Sequence, residues 1–255
     1  MRVSIVIPAY NEQSLVAALL AKVCALTMRD GMEKEIVVVD DGSSDNTRSV
    51  IEGFLQQHTD CGVRLLVHAK NQGKGAAVRT GMAAATGDIV IIQDADLEYD
   101  PEDIHAVIAP VAAGQANVVY GSRILREKSL GRSGCCGFFS GKHPNSYTMA
   151  YLGGVMITRW TNFCTGANLT DAPTCYKCFH RRVLADLAFV ANDFSWEPEV
   201  TVKLLMRGHT IREVPIDYHP RKRQEGKKIN WKHGVGALWT ISRHALREKF
   251  SHRPA

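Results

Sequence analysis

Long apolar runs are missing from this chain. No stretch approaches the roughly 20 consecutive apolar residues that a membrane-spanning helix needs. The apolar part of Met1-Arg-Val-Ser-Ile-Val-Ile-Pro8 is too short for a secretory signal and reads as a first strand. Aromatic residues make up only 7%. Neither an aromatic RNA-binding signature nor a zinc finger is present, which argues against a nucleic-acid-binding or regulatory module despite a formal charge of +5. The cysteine count is odd, seven, which without a secretory signal favours reduced thiols over a disulfide framework. Cys175-Tyr-Lys-Cys178 has redox or zinc spacing, and Cys135-Cys136 would have to complete a zinc set, although adjacent cysteines are an awkward pair for a tetrahedral ion. Internal repeats and low-complexity tracts are absent. What remains is an ordinary globular composition, 45% hydrophobic and 22% charged over 255 residues, enough for one large domain or a domain with an appendage. A cytoplasmic protein is expected.

Charge is spread unevenly. Ten Lys or Arg and two Glu lie between Arg221 and Arg253, a balance of +8, against −3 for the rest of the chain. A boundary is expected there, with a main domain over 1–218 and a basic extension over 219–255. The simplest reading of the extension is a solvated face. A second reading comes from Trp231, Val235, Leu238, Trp239 and Ser242, which fall on one helical stripe among Lys and Arg. That combination suits an interfacial helix on an anionic membrane surface.

Strand and helix signals alternate through the first half, the pattern of a parallel sheet covered on both faces. Strands are expected at Val3–Ile7, Ile36–Val39, Val63–Val67, Ile89–Ile92 and 118–121, with helices from about Asn11, over 50–55, 76–85 and after Asp100-Pro101, where an acid caps and proline takes the first helical position. Residues from Leu125 to about Asn145 read as a long loop, possible lid material. Helices are expected over 147–164 and 198–207. A late strand within 209–217 is placed at an edge by Pro215.

The richest local signal is Asp94-Ala95-Asp96. It follows a β-branched run whose carboxyl end is the functional end of an open α/β sheet. Residues two apart in extended chain point the same way, so both carboxylates can share one hard ion, Mg²⁺ or Mn²⁺. Paired acids also order turns and cap helices, and alone they do not decide. Other strand ends carry Asn11-Glu12, Asp40-Asp41, Gly73-Lys74-Gly75 and Gly121-Ser-Arg123. Asp40 or Asp41 suits a base or ribose, and Lys74 and Arg123 suit phosphates.

In their order, Ile5-Val-Ile-Pro-Ala-Tyr-Asn-Glu12, Val37-Val-Val-Asp-Asp-Gly-Ser-Ser-Asp45, Asn71-Gln-Gly-Lys-Gly75, Gln93-Asp-Ala-Asp-Leu-Glu98, Gly121-Ser-Arg123 and Thr170-Asp-Ala-Pro-Thr-Cys-Tyr-Lys177 resemble a family 2 glycosyltransferase of the GT-A fold, within the dolichyl-phosphate mannosyltransferase and polyprenyl-phosphate glycosyltransferase branch. The resemblance runs from residue 3 to about 239. It implies an α/β, Rossmann-like, mostly parallel central sheet flanked by helices, with a basic carboxyl-terminal helical extension. It also implies that Pro8, Tyr10, Glu12, Asp40 and Asp41 bind the nucleoside, that Asp94 and Asp96 hold the divalent ion with Glu98 completing its shell, and that Arg123 sits near the phosphates or acceptor. Arg221, Arg223, Lys227 and Lys228 fall where the family places a basic loop that closes on the diphosphate.

The implied reaction is direct displacement with inversion, moving mannose or glucose from GDP-mannose or UDP-glucose to a polyprenyl phosphate at the cytoplasmic membrane face. Such an acceptor is already anionic and needs little base. The alternative is transfer to a glycan hydroxyl, which needs a general base, with Glu197 as the candidate.

Overall fold

Branched aliphatic runs build the middle of a sheet that is buried on both faces. In the computed structural model, which describes residues 1–131, 144–185, 187–221 and 231–251, β1 (Arg2–Ala9), β2 (Glu33–Asp40) and β4 (Ile89–Ile92) are almost wholly solvent-free. Burial on both faces is why their sequences run apolar without alternation. Between and after them come α1 (Val16–Ala25), α2 (Thr47–Gln57), β3 (Val63–Val67), α3 (Lys74–Ala84), α4 (Ile104–Ala112) and β5 (Val118–Ser122). The rest of the described chain forms α5 (Arg123–Ser129), α6 (Pro144–Thr165), β6 (Lys177–His180), α7 (Arg181–Ala185), α8 (Trp196–Met206), β7 (Arg212–Pro215) and α9 (Trp231–Ser251).

The seven strands are ordered β3-β2-β1-β4-β6-β5-β7, with β6 alone antiparallel to its neighbours β4 and β5. The α/β, mostly parallel GT-A architecture expected from the sequence is therefore present, and β7 does lie at an edge. Helix α3 approaches β1 and β2 so closely that a Cβ at Gly81 would collide with Val6, which is why this helix is made of small residues.

Three local expectations change. The first helix starts at Val16 rather than near Asn11, because Asn11 takes a positive φ of 51°. There the Asn11 N–H donates to Ser43 Oγ at 3.0 Å and Asn11 Oδ1 accepts from the Ser44 N–H at 2.8 Å, so the chain leaving β1 is tied to the loop after β2 before it can coil. The start of the expected long loop is helical: Ser122 Oγ accepts from the Leu125 N–H at 3.0 Å and caps α5. Strand β6, absent from the sequence reading, is the third change. It enters the sheet from the edge where the parallel strands end, and so delivers the residues before it to that edge.

The carboxyl-terminal helix α9 packs on α8 and α6. Val202, Ile241 and Ala245 are buried together there, with Ile157, Cys164 and Met206 against them.

Candidate active site

A cleft of ≈ 430 Å³ opens at the carboxyl edge of the sheet, as expected for an open α/β fold. Each wall follows from a strand end. Pro8, Tyr10 and Glu12 come from β1, Asp41 from β2, Asp94, Ala95, Asp96 and Glu98 from β4, and Arg123 from β5. Lys74 opens α3 and Glu197 lies in the first turn of α8. Tyr218 and Arg221 follow β7, and His233 comes from the start of α9.

The acids and bases in this cleft are paired in two groups. Lys74 Nζ lies 2.9 Å from the Asp94 carboxylate and 2.8 Å from Glu197 Oε1. Burial alone would discharge Lys74, but Asp94 foremost and then Glu197 hold it protonated. Burial pushes the Asp94 carboxyl up to about 6, against the pull of Lys74 and with the help of the neighbouring Asp96 and Glu197 charges. The Cys175 thiol hydrogen-bonds Asp94 from the floor, and burial raises that thiol far above its ordinary range.

The second group centres on Arg221. Its guanidinium contacts Glu12 Oε2 and Asp96 Oδ2, each at 3.0 Å, and stands 3.6 Å from Glu98 Oε1. Glu98 also fixes the segment carrying Arg221, accepting from Tyr218 Oη at 2.6 Å and from the Arg221 N–H at 3.0 Å. Asp96 Oδ1 accepts from the Glu98 N–H at 3.1 Å, which shapes the turn after the acid pair.

Three further expected site residues are committed to structure. Asp41 accepts from the backbone N–H groups of Gln72 and Gly73 at 2.9 and 2.7 Å and meets His68 Nδ1 at 2.6 Å. It therefore sets the glycine loop that aims Lys74 while still lining the cleft. Asp40 is buried, accepts from Ser43 Oγ at 2.5 Å, and is not among the lining residues. Arg123 pairs with Asp171 through Nε and Nη2, both at 2.7 Å, and lies over the Tyr218 ring. Lys227, Arg223 and Lys228 lie outside the described residues, as do Cys135 and Cys136.

Sequence reasoning missed Tyr218, Phe194, His233 and Cys175 as cleft residues. Cys175 had little local signal, because the Lys177-Cys-Phe-His180 segment after it becomes a strand only when paired with β4 and β5. Cys178 is buried within β6, which gives it a packing role.

Among the described residues, no three His, Cys, Asp or Glu come together as a ligand set for a metal ion. The hard carboxylate oxygens of Asp94 and Asp96 nevertheless suit Mg²⁺ or Mn²⁺. The Arg221 guanidinium, seated among Glu12, Asp96 and Glu98, shows that negative charge converges where a cation is stabilised.

The sequence profile described as Glycosyl transferase family 2 matches residues 4–187. The chain belongs to that family. Among curated proteins it is 29% identical over 228 residues to an undecaprenyl-phosphate 4-deoxy-4-formamido-L-arabinose transferase of Pseudomonas fluorescens (strain SBW25), covering 88% of this chain and 59% of the relative. A protein of the same name from Shewanella sediminis (strain HAW-EB3) is 26% identical over 225 residues, covering 88% and 60%. The family 2 chain thus spans about three fifths of the length of these relatives. Among solved structures, glucosyl-3-phosphoglycerate synthase from Mycobacterium tuberculosis bound to UDP superposes with a TM-score of 0.66 at 19% identity, over 95% of this chain and 79% of that one. The same enzyme with Mn²⁺, UDP and glucosyl-3-phosphoglycerate gives 0.59 at 21%, over 98% and 78%. These likenesses establish the GT-A fold.

Proposed function

We propose that this chain transfers a sugar from a nucleotide sugar to a polyprenyl phosphate, with inversion, at the cytoplasmic face of a membrane. The observation that carries the reading is the convergence of Asp94, Asp96, Lys74 and Arg221 in one cleft, two carboxylates and two cations where a diphosphate and its counter-ion have to be held together. The names of the relatives support the lipid phosphate acceptor. Mannose or glucose from GDP-mannose or UDP-glucose remain the donors to try first, and the relatives' formamido-arabinose extends the panel to modified pentoses.

Asp94 and Asp96 would hold Mg²⁺ or Mn²⁺, with Glu98 available once Arg221 withdraws. Held there, such an ion would supply Lewis-acid stabilisation to the departing diphosphate. Lys74, at the amino end of α3, adds a fixed positive charge beside a helix terminus that favours anions. Arg221 supplies a second charge when it leaves its acid partners for the phosphates. Arg123, locked on Asp171, positions the Pro173–Cys175 segment and presents its remaining edge to an anionic acceptor.

Glu197 bears on the choice of acceptor. A hydroxyl needs a free carboxylate as base, whereas Glu197 is ion-paired with Lys74 at 2.8 Å. A phosphate monoester is already ionised and attacks without such help, so this pairing favours the lipid phosphate over a glycan hydroxyl. Purified protein incubated with Mn²⁺ or Mg²⁺, radiolabelled sugar nucleotides and short polyprenyl phosphates should give an organic-extractable product. Label passing only to a soluble glycan overturns the acceptor.

A further inference from the structure

A fully buried cation, Lys177 of β6, lies behind one wall of the cleft. Its ammonium donates to the Ala172 carbonyl at 2.9 Å and to the Thr174 carbonyl at 2.7 Å, and it lies 4.0 Å from the centre of the Tyr120 ring. An ammonium taken out of water is costly unless its donors are satisfied. Here two carbonyls and the face of a ring satisfy it, and among the described residues no carboxylate pairs with it. Burial pulls this ammonium down to about 8, against the opposing pull of Glu197 and Asp171, so it carries its charge at neutral pH.

What Lys177 holds is the turn from Asp171 to Cys175, which belongs to no helix or strand. Side chains from separate elements fix its backbone instead. Glu213 of β7 accepts from the Asp171 N–H at 2.8 Å, and Thr158 of α6 accepts from the Ala172 N–H at 3.1 Å. Arg123 donates to the Pro173 carbonyl at 3.2 Å, and Tyr99 Oη accepts from the Cys175 N–H at 3.2 Å. Lys177 takes the carbonyls on either side of Pro173 and so closes the bend. Both ends of the turn reach the chemistry: Asp171 pairs with Arg123, Cys175 meets Asp94, and Pro173 and Cys175 line the cleft. The ring under Lys177 is tied to the same site, because Tyr120 Oη bonds Thr201 Oγ1 at 3.0 Å and Thr201 donates to the Glu197 carbonyl at 2.8 Å.

We propose that Lys177 is a positioning residue for the acceptor: its buried ammonium fixes the Asp171–Cys175 turn and through it the Arg123 guanidinium that meets the acceptor phosphate. The proposal rests on the polyprenyl phosphate reading for the identity of that acceptor. Without the ammonium, two buried carbonyls lose their donor and the turn must shift to find others. A shift of about 1 Å in a group that orients a reactant is enough to cost about 10²-fold in rate. The donor diphosphate is gripped from other strand ends, so the loss should fall on the acceptor.

The test is steady-state kinetics of the full chain with a short polyprenyl phosphate, read separately for donor and acceptor. Lys177→Met should lower kcat/KM for the acceptor by about 10²-fold, mainly through its KM, with the donor KM within about twofold of wild type. Lys177→Arg, which restores a cation and its donors, should recover at least about tenfold of that loss. Thr158→Val frees the Ala172 N–H without touching the buried charge, and should show the same split at smaller size; it carries the test if Lys177→Met does not fold. A second readout needs no acceptor. Cys175, 3% exposed, should resist N-ethylmaleimide in wild type and be labelled in Lys177→Met and Thr158→Val, as peptide mapping would record. Wild-type acceptor kinetics in Lys177→Met overturns the proposal, as does an equal rise in donor and acceptor KM, the mark of a general loosening. Unchanged Cys175 labelling in both variants overturns it too. If label passes only to a soluble glycan, the acceptor reading falls, and the same split measured with that glycan still decides the role of Lys177.

Discussion

Arg221 Nη2 sits 3.0 Å from Asp96 Oδ2, so the second carboxylate of the strand-end pair is neutralised by a residue 125 positions away in sequence. A side chain in that position competes with a divalent ion for the same oxygens. Replacing it should therefore separate two effects that usually move together.

Arg221→Gln should raise the affinity for Mn²⁺ in the absence of nucleotide by about tenfold, a modest share of the few kcal/mol that such a close pair carries at an effective dielectric of about 20. Free Mn²⁺ measured by electron paramagnetic resonance checks this directly. Turnover should fall at the same time, by about 10²-fold, because the cation is lost from the leaving group. Unchanged Mn²⁺ affinity would show that the guanidinium and the ion do not share a seat.

The two aspartates should differ in their structural cost. Asp96→Asn leaves Arg221 with Glu12 and Glu98, and Asp94→Asn leaves Lys74 with Glu197. Both variants should fold, with melting temperatures close to wild type. Both should lose about 10²- to 10³-fold in kcat/KM, the scale of removing one electrostatic contact to a developing charge. A melting temperature that collapses in either variant would reassign that residue to holding the fold.

Glu197→Gln distinguishes a base from a positioning residue. Glu197 holds Lys74 against Asp94, so the amide should reduce turnover with polyprenyl phosphate by only about tenfold and leave the shape of the pH–rate profile unchanged. Loss of 10³-fold or more, together with loss of the rising acid limb, is the result expected of a general base and would return the hydroxyl acceptor to first place.

Much of this site was legible because strand ends are legible. The apolar runs before Asp41, Lys74 and Asp94 mark β2, β3 and β4, and a parallel sheet delivers its carboxyl ends to one edge. Pairing across the cleft was not legible. Nothing local shows that the N–H groups of Gln72 and Gly73 turn to Asp41, or that Arg221 reaches Asp96. Strand β6 escaped for a related reason. Its four residues carry little intrinsic signal and become a strand through hydrogen bonds to β4 and β5, which bring Cys175 beneath Asp94. The outer stripe of α9 was visible as a pattern, but both faces of that helix carry apolar residues, and only its contact with α8 shows that Ile241 and Ala245 face inward.

Acid stability should turn on Glu35, at the opposite edge of the sheet from the cleft. Its Oε1 accepts from Ser4 Oγ and the Thr86 N–H, each at 2.5 Å, and from Thr86 Oγ1 and the Gly87 N–H, each at 2.9 Å. Burial pushes this carboxyl up, but the four donors outweigh burial and hold it below its ordinary value of 4.5. A depressed folded value means that the unfolded chain takes up the proton first as pH falls. The stabilisation is complete above the unfolded value and is lost progressively as pH drops through the folded one. Glu35→Gln, whose neutral oxygen cannot satisfy four donors as well, should cost about 2 kcal/mol near neutral pH. The gap between wild type and variant should stay constant down to about pH 5 and narrow below it, as urea unfolding at a series of pH values would record. A gap that persists undiminished in strong acid would mean that the oxygen's hydrogen bonds stabilise the fold independently of its charge.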